Sequence, residues 1–227
     1  MTNYEKLRMR LNKLHHYIFG KKFYKKIHFN FSNDFMRWNL INKIIQKKGF
    51  TSYLEIGCYQ DETFSKVKIE KKVGVDPISG GTLRQTSDAF FSTNRDFFDL
   101  IFIDGHHVYD QVIKDINNSL GCLNKDGTIL VHDCLPASFF QQAVPRSQHI
   151  WTGDVWKAIA MIGTNPDLYT HICCIDYGVG IILRKPNENI LNISMEKIKK
   201  MTYKDFFYNY KKMFNLITFD QVDQLLT

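Results

Sequence analysis

Two short apolar segments of this sequence each end in a group of acidic and histidine residues. The first segment, 98–103, is followed by Asp104-Gly105-His106-His107, and the second, 128–131, is followed by His132-Asp133. A short apolar run bounded by charge is typical of a buried parallel strand, and open α/β sheets bind their ligands at the carboxyl ends of such strands. We therefore expect the two groups to form two walls of one polar site.

A second pair of predicted strands adds an acid, a glycine and a further acid to the same region. Glu55 and Gly57 stand at the end of the run 53–57, and Asp76 closes the next run. The glycine lets the backbone approach a ligand closely. An acid about 20 residues further on is where nucleotide-binding folds accept hydrogen bonds from ribose hydroxyls. The alternative interpretation of Asp76 is a turn carboxylate before a proline.

The turn after the first of these strands does not suit a phosphate. It reads Gly57-Cys58-Tyr59-Gln60-Asp61-Glu62 and lacks the GxGxxG fingerprint of dinucleotide-binding folds. Two acids would lie where a pyrophosphate binds, so their charge opposes an anion there. An acidic turn suits a cationic nucleoside without phosphate, and S-adenosylmethionine, which carries a sulfonium and an ammonium, is such a ligand.

The elements that must position these residues alternate along the chain. Strands are predicted at 53–57, 72–77, 98–103 and 128–131, with intervening helices at about 62–68, 87–91 and 109–120 and a turn at 124–127. This alternation predicts an α/β fold with a Rossmann-like, doubly wound and mainly parallel sheet.

Further elements flank this core on both sides. Apolar spacing predicts a helix at about 33–48, capped by Ser32 or Asn33 and ended by Gly49. Downstream we expect a loop at 137–153, a helix at 154–162, strands at 171–175 and 178–183, and aromatic helices within 194–226. The predicted domains are a basic helical arm (1–32), a central domain (33–185) and a helical C-terminal extension (186–227).

The composition predicts a cytoplasmic protein. No run approaches the roughly 18 apolar residues that a membrane span needs, and we expect no secretory signal. The sequence has 5 cysteines and no CxxC pair, which favours reduced thiols over disulfides or structural zinc.

The charge of +7 is concentrated near the N-terminus, where Glu5 is the one acid in residues 1–28. The basic residues there are Lys6, Arg8, Arg10, Lys13, Lys21, Lys22, Lys25 and Lys26. This basic arm could contact an anionic membrane face, a nucleic acid or a charged polymer, or it could be a solvated helix with a docked apolar stripe. Nucleic acid is not our expected partner, whereas peripheral membrane contact and a homo-oligomer stay open.

Several segments together resemble the class I S-adenosylmethionine-dependent methyltransferases. They cover roughly residues 50–185 and read LEIG-CYQDET, VGVDP, TSDAFF, FDLIFIDGHHVYDQVIKDI, LNKDGTILVHDCLP and WTGDVWKAI. The IDG-x-H-x-Y and HD motifs are similar to a bacterial branch that includes macrolide-sugar and catechol-type O-methyltransferases, many of them metal-dependent. One departure is Asp61, where the family usually has a Gly-rich GxxxG turn.

The resemblance implies a cofactor site for S-adenosyl-L-methionine. Glu55 and Gly57 match the residues that form the first wall of that site, and Asp76 matches the carboxylate that binds the ribose. Ser87 and Asp88 match the segment that contacts adenine. Asp104 is also assigned to the cofactor site. The alternative for Ser87 and Asp88 is a helix N-cap.

The resemblance also implies a site for a divalent metal, with Asp104, His132 and Asp133 where the metal-dependent relatives place their ligands. Carboxylate oxygens suit Mg²⁺ or Ca²⁺, whereas a histidine in the set favours Mn²⁺ or another transition metal. The alternative is that His132 is a packed histidine and that Asp133 caps the segment before Pro136.

His107 matches the general base of the closest relatives. Methyl transfer to a hydroxyl requires two oriented reactants and a group that removes a proton, and an imidazole can do this near neutral pH. His106 is not the expected base. The alternative for both histidines is a pair of polar surface residues without a catalytic role.

A last cluster, Trp151, Asp154, Trp156 and Lys157, suits a sugar ring because aromatic faces stack on CH groups while acids bind hydroxyls. The alternative is a core tryptophan at a capped helix start. The sequence thus predicts an enzyme that methylates a hydroxyl of a saccharide or other small acceptor, with polysaccharide biosynthesis as the expected context. A catalytically silent S-adenosylmethionine- or glycan-binding module and another nucleotide-dependent α/β enzyme are the alternatives.

Overall fold

The computed structural model describes residues 2–20, 23–31 and 34–226, and its centre is a seven-stranded sheet. The strands are β1 (Ser52–Ile56), β2 (Lys71–Val75), β3 (Phe98–Ile103), β4 (Leu123–Val131), β5 (Tyr169–Cys173), β6 (Val179–Leu183) and β7 (Leu216–Ile217). Their order is β2-β1-β3-β4-β6-β5-β7. The first four in this order are parallel, β6 is antiparallel to both neighbours, and β7 is parallel to β5. The predicted Rossmann-like fold is confirmed.

Helices cover both faces of this sheet. They are α1 (Asn3–Phe19), α2 (Arg37–Lys48), α3 (Ser87–Thr93), α4 (Tyr109–Gly121), α5 (Phe139–Gln142), α6 (Trp156–Ile162), α7 (Met195–Lys200), α8 (Tyr203–Met213) and α9 (Val222–Leu225). Among the described residues, no helix is long and apolar enough to cross a bilayer.

The core lies on both sides of the central strands because alternate residues of each strand point to opposite faces. Leu54 and Ile101 pack on the side that holds α4, α6 and α8. Tyr53 and Phe102 pack on the side that holds α2. Burial on both faces explains why these strands read as continuous apolar runs and not as alternating ones.

Backbone pairing continues just past the ends of the central strands and fixes the residues that follow. The Gly57 N–H donates to the Val75 carbonyl (2.9 Å), the Asp104 N–H to the Ile56 carbonyl (2.8 Å), and the His132 N–H to the Ile103 carbonyl (3.0 Å). The side chains after three strands are therefore held on a common edge of the sheet.

The start of α2 differs from the prediction. The helix begins at Arg37 with Met36 as its N-cap residue, and the Met36 N–H donates to the Asn39 side chain at 2.9 Å. The predicted caps Ser32 and Asn33 lie outside the described residues. Gly49 ends the helix in the left-handed conformation at φ 65°, as predicted.

Two further predictions are wrong. The predicted helix at 62–68 is a single 3₁₀ turn at Phe64–Lys66, because Asp61 at φ 60° turns the chain and its carboxylate accepts the Gly81 N–H at 2.6 Å. The predicted turn at 124–127 lies inside β4, where pairing with β3 continues through a register shift. Tertiary pairing overrides the turn propensity of these residues there.

The C-terminal segment is built into the main body. Tyr203 and Phe206 of α8 are fully buried in the core, and β7 extends the sheet beyond β5. The boundary predicted at residue 186 stays a prediction.

Candidate active site

A cavity of about 1090 Å³ opens at the carboxyl ends of β1, β2 and β3. Its walls include the predicted cofactor residues Glu55, Gly57, Asp76, Ser87 and Asp88 together with Asp104, His106 and His107. Three predicted sets are thus brought together around one space: the first-strand acid and glycine, the second-strand acid, and the Asp/His loop after β3.

Gly57 forms the floor where β1 and β3 end. Its φ is +92°, and a Cβ at this position would overlap the Asp104 carbonyl. The backbone conformation and the space therefore both require glycine. The resulting bare backbone allows a ligand to approach the end of β1 closely.

Asp76 is buried and holds the loops that form the cavity's outer wall. One carboxylate oxygen accepts the N–H groups of Ile78 (2.7 Å) and Ser79 (3.0 Å). The other accepts the Tyr59 N–H (2.9 Å). This second oxygen keeps one lone pair for a further donor such as a ribose hydroxyl, so the residue fits both the turn role and the cofactor role.

Ser87 and Asp88 lie across the cavity, bridged to α4. Gln111 donates its side-chain amide to Ser87 and Asp88 at 3.2 Å each, and Lys114 contacts Asp88 at 2.7 Å. The N-cap of α3 is Thr86, whose hydroxyl accepts the Ala89 N–H at 3.2 Å. The structure thus gives the capping role to Thr86 and leaves Ser87 and Asp88 on the wall.

Glu55 is buried at the inner end of the cavity. The Tyr53 hydroxyl donates to its carboxyl at 2.5 Å. Burial, together with the nearby Asp104, raises the pKa of Glu55 to about 8 despite the opposing hydrogen bond from Tyr53. Glu55 is therefore largely protonated at neutral pH while the cavity holds no cation.

A polar cluster close to Glu55 is built from Asp104, His107, His132 and Asp133. Asp104 Oδ1 lies 3.1 Å from both His107 Nε2 and His132 Nδ1. Asp133 Oδ2 lies 3.0 Å from His107 Nδ1. Residues from two strand ends thus contact one another, as the sequence predicts.

Arg37 and Asp176 complete this cluster, and the sequence did not identify either of them. Arg37 Nη1 donates to Asp176 Oδ2 at 2.8 Å, and Arg37 Nη2 donates to Glu62 at 2.7 Å. Arg37 Nε lies 3.6 Å from Asp104 Oδ2. The only available sequence signal was Asp176-Tyr177-Gly178, which indicates a turn and says nothing of charge.

The charge states of the two cluster histidines follow from these contacts. Burial alone would lower the pKa of His107, but the Asp133 and Asp104 carboxylates raise it to about 10. His132 Nε2 must donate to the Asp176 carbonyl at 2.8 Å, and Asp104 raises the pKa of His132 well above its usual range despite burial. Without a bound cation both imidazoles are therefore protonated at neutral pH.

Asp104, His107 and Asp133 form the group in the described residues whose ligand atoms lie close enough to share one ion. The predicted set had His132 in place of His107. His132 nevertheless lies 3.1 Å from Asp104 and 3.7 Å from Asp133, so it borders the same space. Two carboxylates with an imidazole fit Mn²⁺ or Mg²⁺ in donor type.

The predicted acceptor cluster separates into a part at the site and a part in the core. Trp151 stacks on His107 with ring centroids 5.5 Å apart and so adjoins the site, although it does not line the cavity itself. Trp156 is fully buried and packs against Phe206, so the alternative interpretation of a core tryptophan is the correct one. Asp154 accepts the Tyr109 N–H at 2.8 Å and so caps α4, while Lys157 contacts Asp154 at 3.1 Å. None of these last three side chains lines the cavity.

His106 differs from His107 in its exposure, in its contacts and in the direction of its pKa shift. It is exposed, and burial of part of its ring together with the charge of His107 lowers its pKa. It lines the cavity without contacting a carboxylate in the described residues.

Residues 54–134 match the model of a family described as a methyltransferase domain. This stretch runs from within β1 to just past Asp133 and includes the residues predicted to bind the cofactor. No curated protein sequence matches the chain.

Solved structures share the fold at low sequence identity. The cofactor-bound protein Rv0187 from MTB superposes with a TM-score of 0.53 at 12% identity, covering 81% of this chain and 89% of its own. The O-methyltransferase from Bacillus cereus in complex with SAH superposes with a TM-score of 0.50 at 10% identity. The match covers 82% of this chain and 92% of that protein. The O-methyltransferase TomG from Streptomyces achromogenes in complex with SAM superposes with a TM-score of 0.50 at 10% identity. The match covers 82% of this chain and 91% of that protein. The chain therefore shares the Rossmann-like fold of these structures.

Proposed function

We propose that this protein is an S-adenosylmethionine-dependent methyltransferase that methylates a hydroxyl of a saccharide or other small hydroxylated acceptor. One observation carries the proposal. Gly57, Asp76, Asp104 and His107 line one cavity, and His107 contacts Asp133 from there. A bound cofactor and an acceptor hydroxyl would therefore share one space.

The chemistry that these residues must support is an in-line displacement. The acceptor oxygen attacks the methyl carbon, the carbon–sulfur bond breaks, and S-adenosylhomocysteine leaves with the electron pair. The hydroxyl proton passes to a base. The protein contributes by orienting the two reactants and by placing that base within hydrogen-bond reach.

Gly57, Asp76, Ser87 and Asp88 are the proposed cofactor residues, with Glu55 and Asp104 at the inner end. The acidic lining and the absence of a glycine-rich phosphate loop support a cationic nucleoside over a dinucleotide. The match of this stretch to a methyltransferase domain supports the same cofactor.

His107 is the proposed base, and Trp151 lies against it as the proposed acceptor contact. The carboxylates that flank His107 keep it protonated, and a protonated imidazole accepts no proton. Asp104 and Asp133, with His132 beside them, would hold a divalent ion. Such an ion would offset those carboxylate charges and lower the pKa of an acceptor hydroxyl.

The test is a screen of sugars and small hydroxylated compounds with release of S-adenosylhomocysteine as the readout. We expect turnover with at least one hydroxylated acceptor, its loss on exhaustive chelation with EDTA, and its return with Mg²⁺ or Mn²⁺. Full turnover after chelation, with no metal found by elemental analysis, would reject the metal. Tight binding of S-adenosylhomocysteine without turnover on any acceptor would instead favour a silent binding module.

A further inference from the structure

Helix α1 faces the rest of the protein with its polar side. Asn12 donates to the Arg146 carbonyl at 2.8 Å, and His16, which is buried, contacts the Pro145 carbonyl through Nε2 at 2.8 Å. The His16 ring also meets Phe139 edge-on, with centroids 6.2 Å apart. Two polar side chains, one turn apart, therefore fix which side of the helix is inward.

The outward side of α1 is apolar. Its exposed residues follow one another at spacings of three and four, and they are Tyr4 (72% exposed), Leu7 (55%), Leu11 (58%), Leu14 (55%) and Ile18 (53%). At about 100° per residue this spacing puts all five on one stripe, roughly opposite Asn12 and His16. Normal packing would place such a stripe against the protein, so its outward orientation indicates a partner.

The flanks of this stripe are basic on both sides. Arg8 and Arg10 lie roughly 80° to either side of its midline by the same rotation of about 100° per residue. The one acid of the helix, Glu5, is used in the N-terminal cap, where its carboxylate accepts the Thr2 N–H at 2.6 Å. An apolar stripe flanked by arginines is complementary to a partner surface that has an apolar interior and anionic groups on its outside.

The same stripe of a second copy does not meet that requirement. Two stripes packed together would place Arg8, Arg10 and His15 against cations or neutral residues of the other copy, with no acid to pair with. The stripe from Tyr4 to Ile18 is also only about two heptads long, whereas coiled coils are recognised at three to four.

We propose that α1 is an interfacial helix that binds an anionic lipid surface. Its leucines enter the boundary between headgroups and acyl chains, while Arg8 and Arg10 contact the lipid phosphates from either side. The polar side stays bound to the loop that carries Arg146, which lines the cavity described above. The helix is therefore attached to a loop that forms part of the cavity wall.

The test uses the full chain and sedimentation with two kinds of vesicle: phosphatidylcholine alone, and a mixture in which about a third of the lipid is phosphatidylglycerol. We expect binding to the anionic vesicles to exceed binding to the neutral ones by at least about tenfold. The double variants Leu11→Glu/Leu14→Glu and Arg8→Glu/Arg10→Glu should each lose about tenfold or more.

A matched variant controls for added charge at an exposed apolar residue. Ile190→Glu changes a side chain that is 52% exposed and lies outside α1, so its vesicle binding should equal that of the parent. Thermal unfolding followed by circular dichroism should be unchanged in all variants, since the substituted side chains are exposed.

Three results would overturn the proposal. The first is equal binding of the parent to both vesicle types, or binding to neither. The second is unchanged binding by the leucine variant. The third is a dimer of the parent, measured by light scattering, that becomes monomeric in the leucine variant, because the stripe would then be covered by a second copy.

Discussion

The two ends of the cavity are built by different means. At the proposed cofactor end, Asp76 is held by backbone N–H groups of residues close to it in space, and Gly57 contributes bare backbone. At the other end, Asp104 and Asp133 contact the ionisable side chains of His107 and His132. One end is a backbone scaffold, and the other is a network of charges.

This difference predicts different responses to substitution. In a backbone scaffold, loss of one side chain removes one contact to the ligand and leaves the rest in place. In a charge network, loss of one member leaves the opposite charge buried and unpaired, which costs far more than the contact itself. The predictions below test this difference, starting from the largest expected effect.

The largest effect is expected at His107. His107→Ala should lower kcat by about 10²–10⁴, the usual contribution of a positioned base, while affinity for S-adenosylmethionine changes little. Steady-state kinetics with an acceptor found in the screen, together with calorimetry, measures both quantities. Metal content is measured as well, because His107 contacts both carboxylates of the proposed metal site.

His106→Ala is the matched control for that prediction. The residue lines the same cavity but contacts no carboxylate among the described residues, so its loss should affect kcat far less. If His106→Ala were the more damaging substitution, the roles of the two histidines would be reversed.

Arg37→Met should destabilise the fold by about 3–5 kcal/mol at pH 7, because Asp176 would lose its partner in a buried pair. Burial alone would raise the pKa of Asp176, but His132 and Arg37 lower it to about 2. A lowered carboxyl pKa stabilises the folded state above the unfolded value of about 4. That stabilisation is lost as pH falls from about 4 to about 2, so the cost of the substitution should shrink at pH 3.

Urea unfolding at the two pH values measures this effect, and Glu62→Gln supplies the comparison. Glu62 binds the same arginine, but its side chain is 58% exposed, so its loss should cost less than about 1 kcal/mol. Equal costs for Arg37→Met and Glu62→Gln would contradict the charge-network account.

Asp76→Ala should weaken binding of S-adenosylmethionine by about 1–3 kcal/mol through loss of the ribose contact. Because Asp76 also holds the loop at Ile78 and Ser79, Asp76→Asn is needed beside it. It keeps the shape and removes the charge, so its affinity should fall between those of the parent and Asp76→Ala. Unchanged calorimetric affinity in folded Asp76→Ala would reject the ribose assignment.

The smallest expected effect concerns Glu55. Its pKa of about 8 means that the acid is mostly neutral at pH 7, and a bound cation should favour its charged form. Binding of S-adenosylmethionine should therefore release part of a proton, whereas S-adenosylhomocysteine, which lacks the sulfonium, should release less. Calorimetry in phosphate and in Tris, whose ionisation enthalpies differ, measures this release. A release that persists in Glu55→Gln would come from another group.

The sequence was most informative where function coincides with the end of a buried strand. Asp104, His132 and Asp133 each follow an apolar run, so parallel pairing brings them to one edge. Gly57 was identified for a similar reason, because it stands at the end of the first predicted strand. These inferences depend on local pattern and on one general property of parallel sheets.

The sequence was least informative where long-range contacts decide the outcome. Arg37 starts α2 with no motif around it, and its partner Asp176 lies in a turn far along the chain. Trp156 illustrates the same limit, because an aromatic residue beside an acid suits both a sugar site and a core helix. Only burial, which the fold determines, separates the two.

The most direct test of the central claim is the melting temperature of the full chain with three ligands, S-adenosylhomocysteine, NAD and a UDP-sugar. A ligand that binds only the folded state stabilises it by RT ln(1 + [L]/Kd), so at equal concentration the tighter ligand raises the melting temperature more. We predict an increase with S-adenosylhomocysteine that is reduced in Asp76→Ala, and no increase with the other two. An increase with NAD or the UDP-sugar, and none with S-adenosylhomocysteine, would contradict the account.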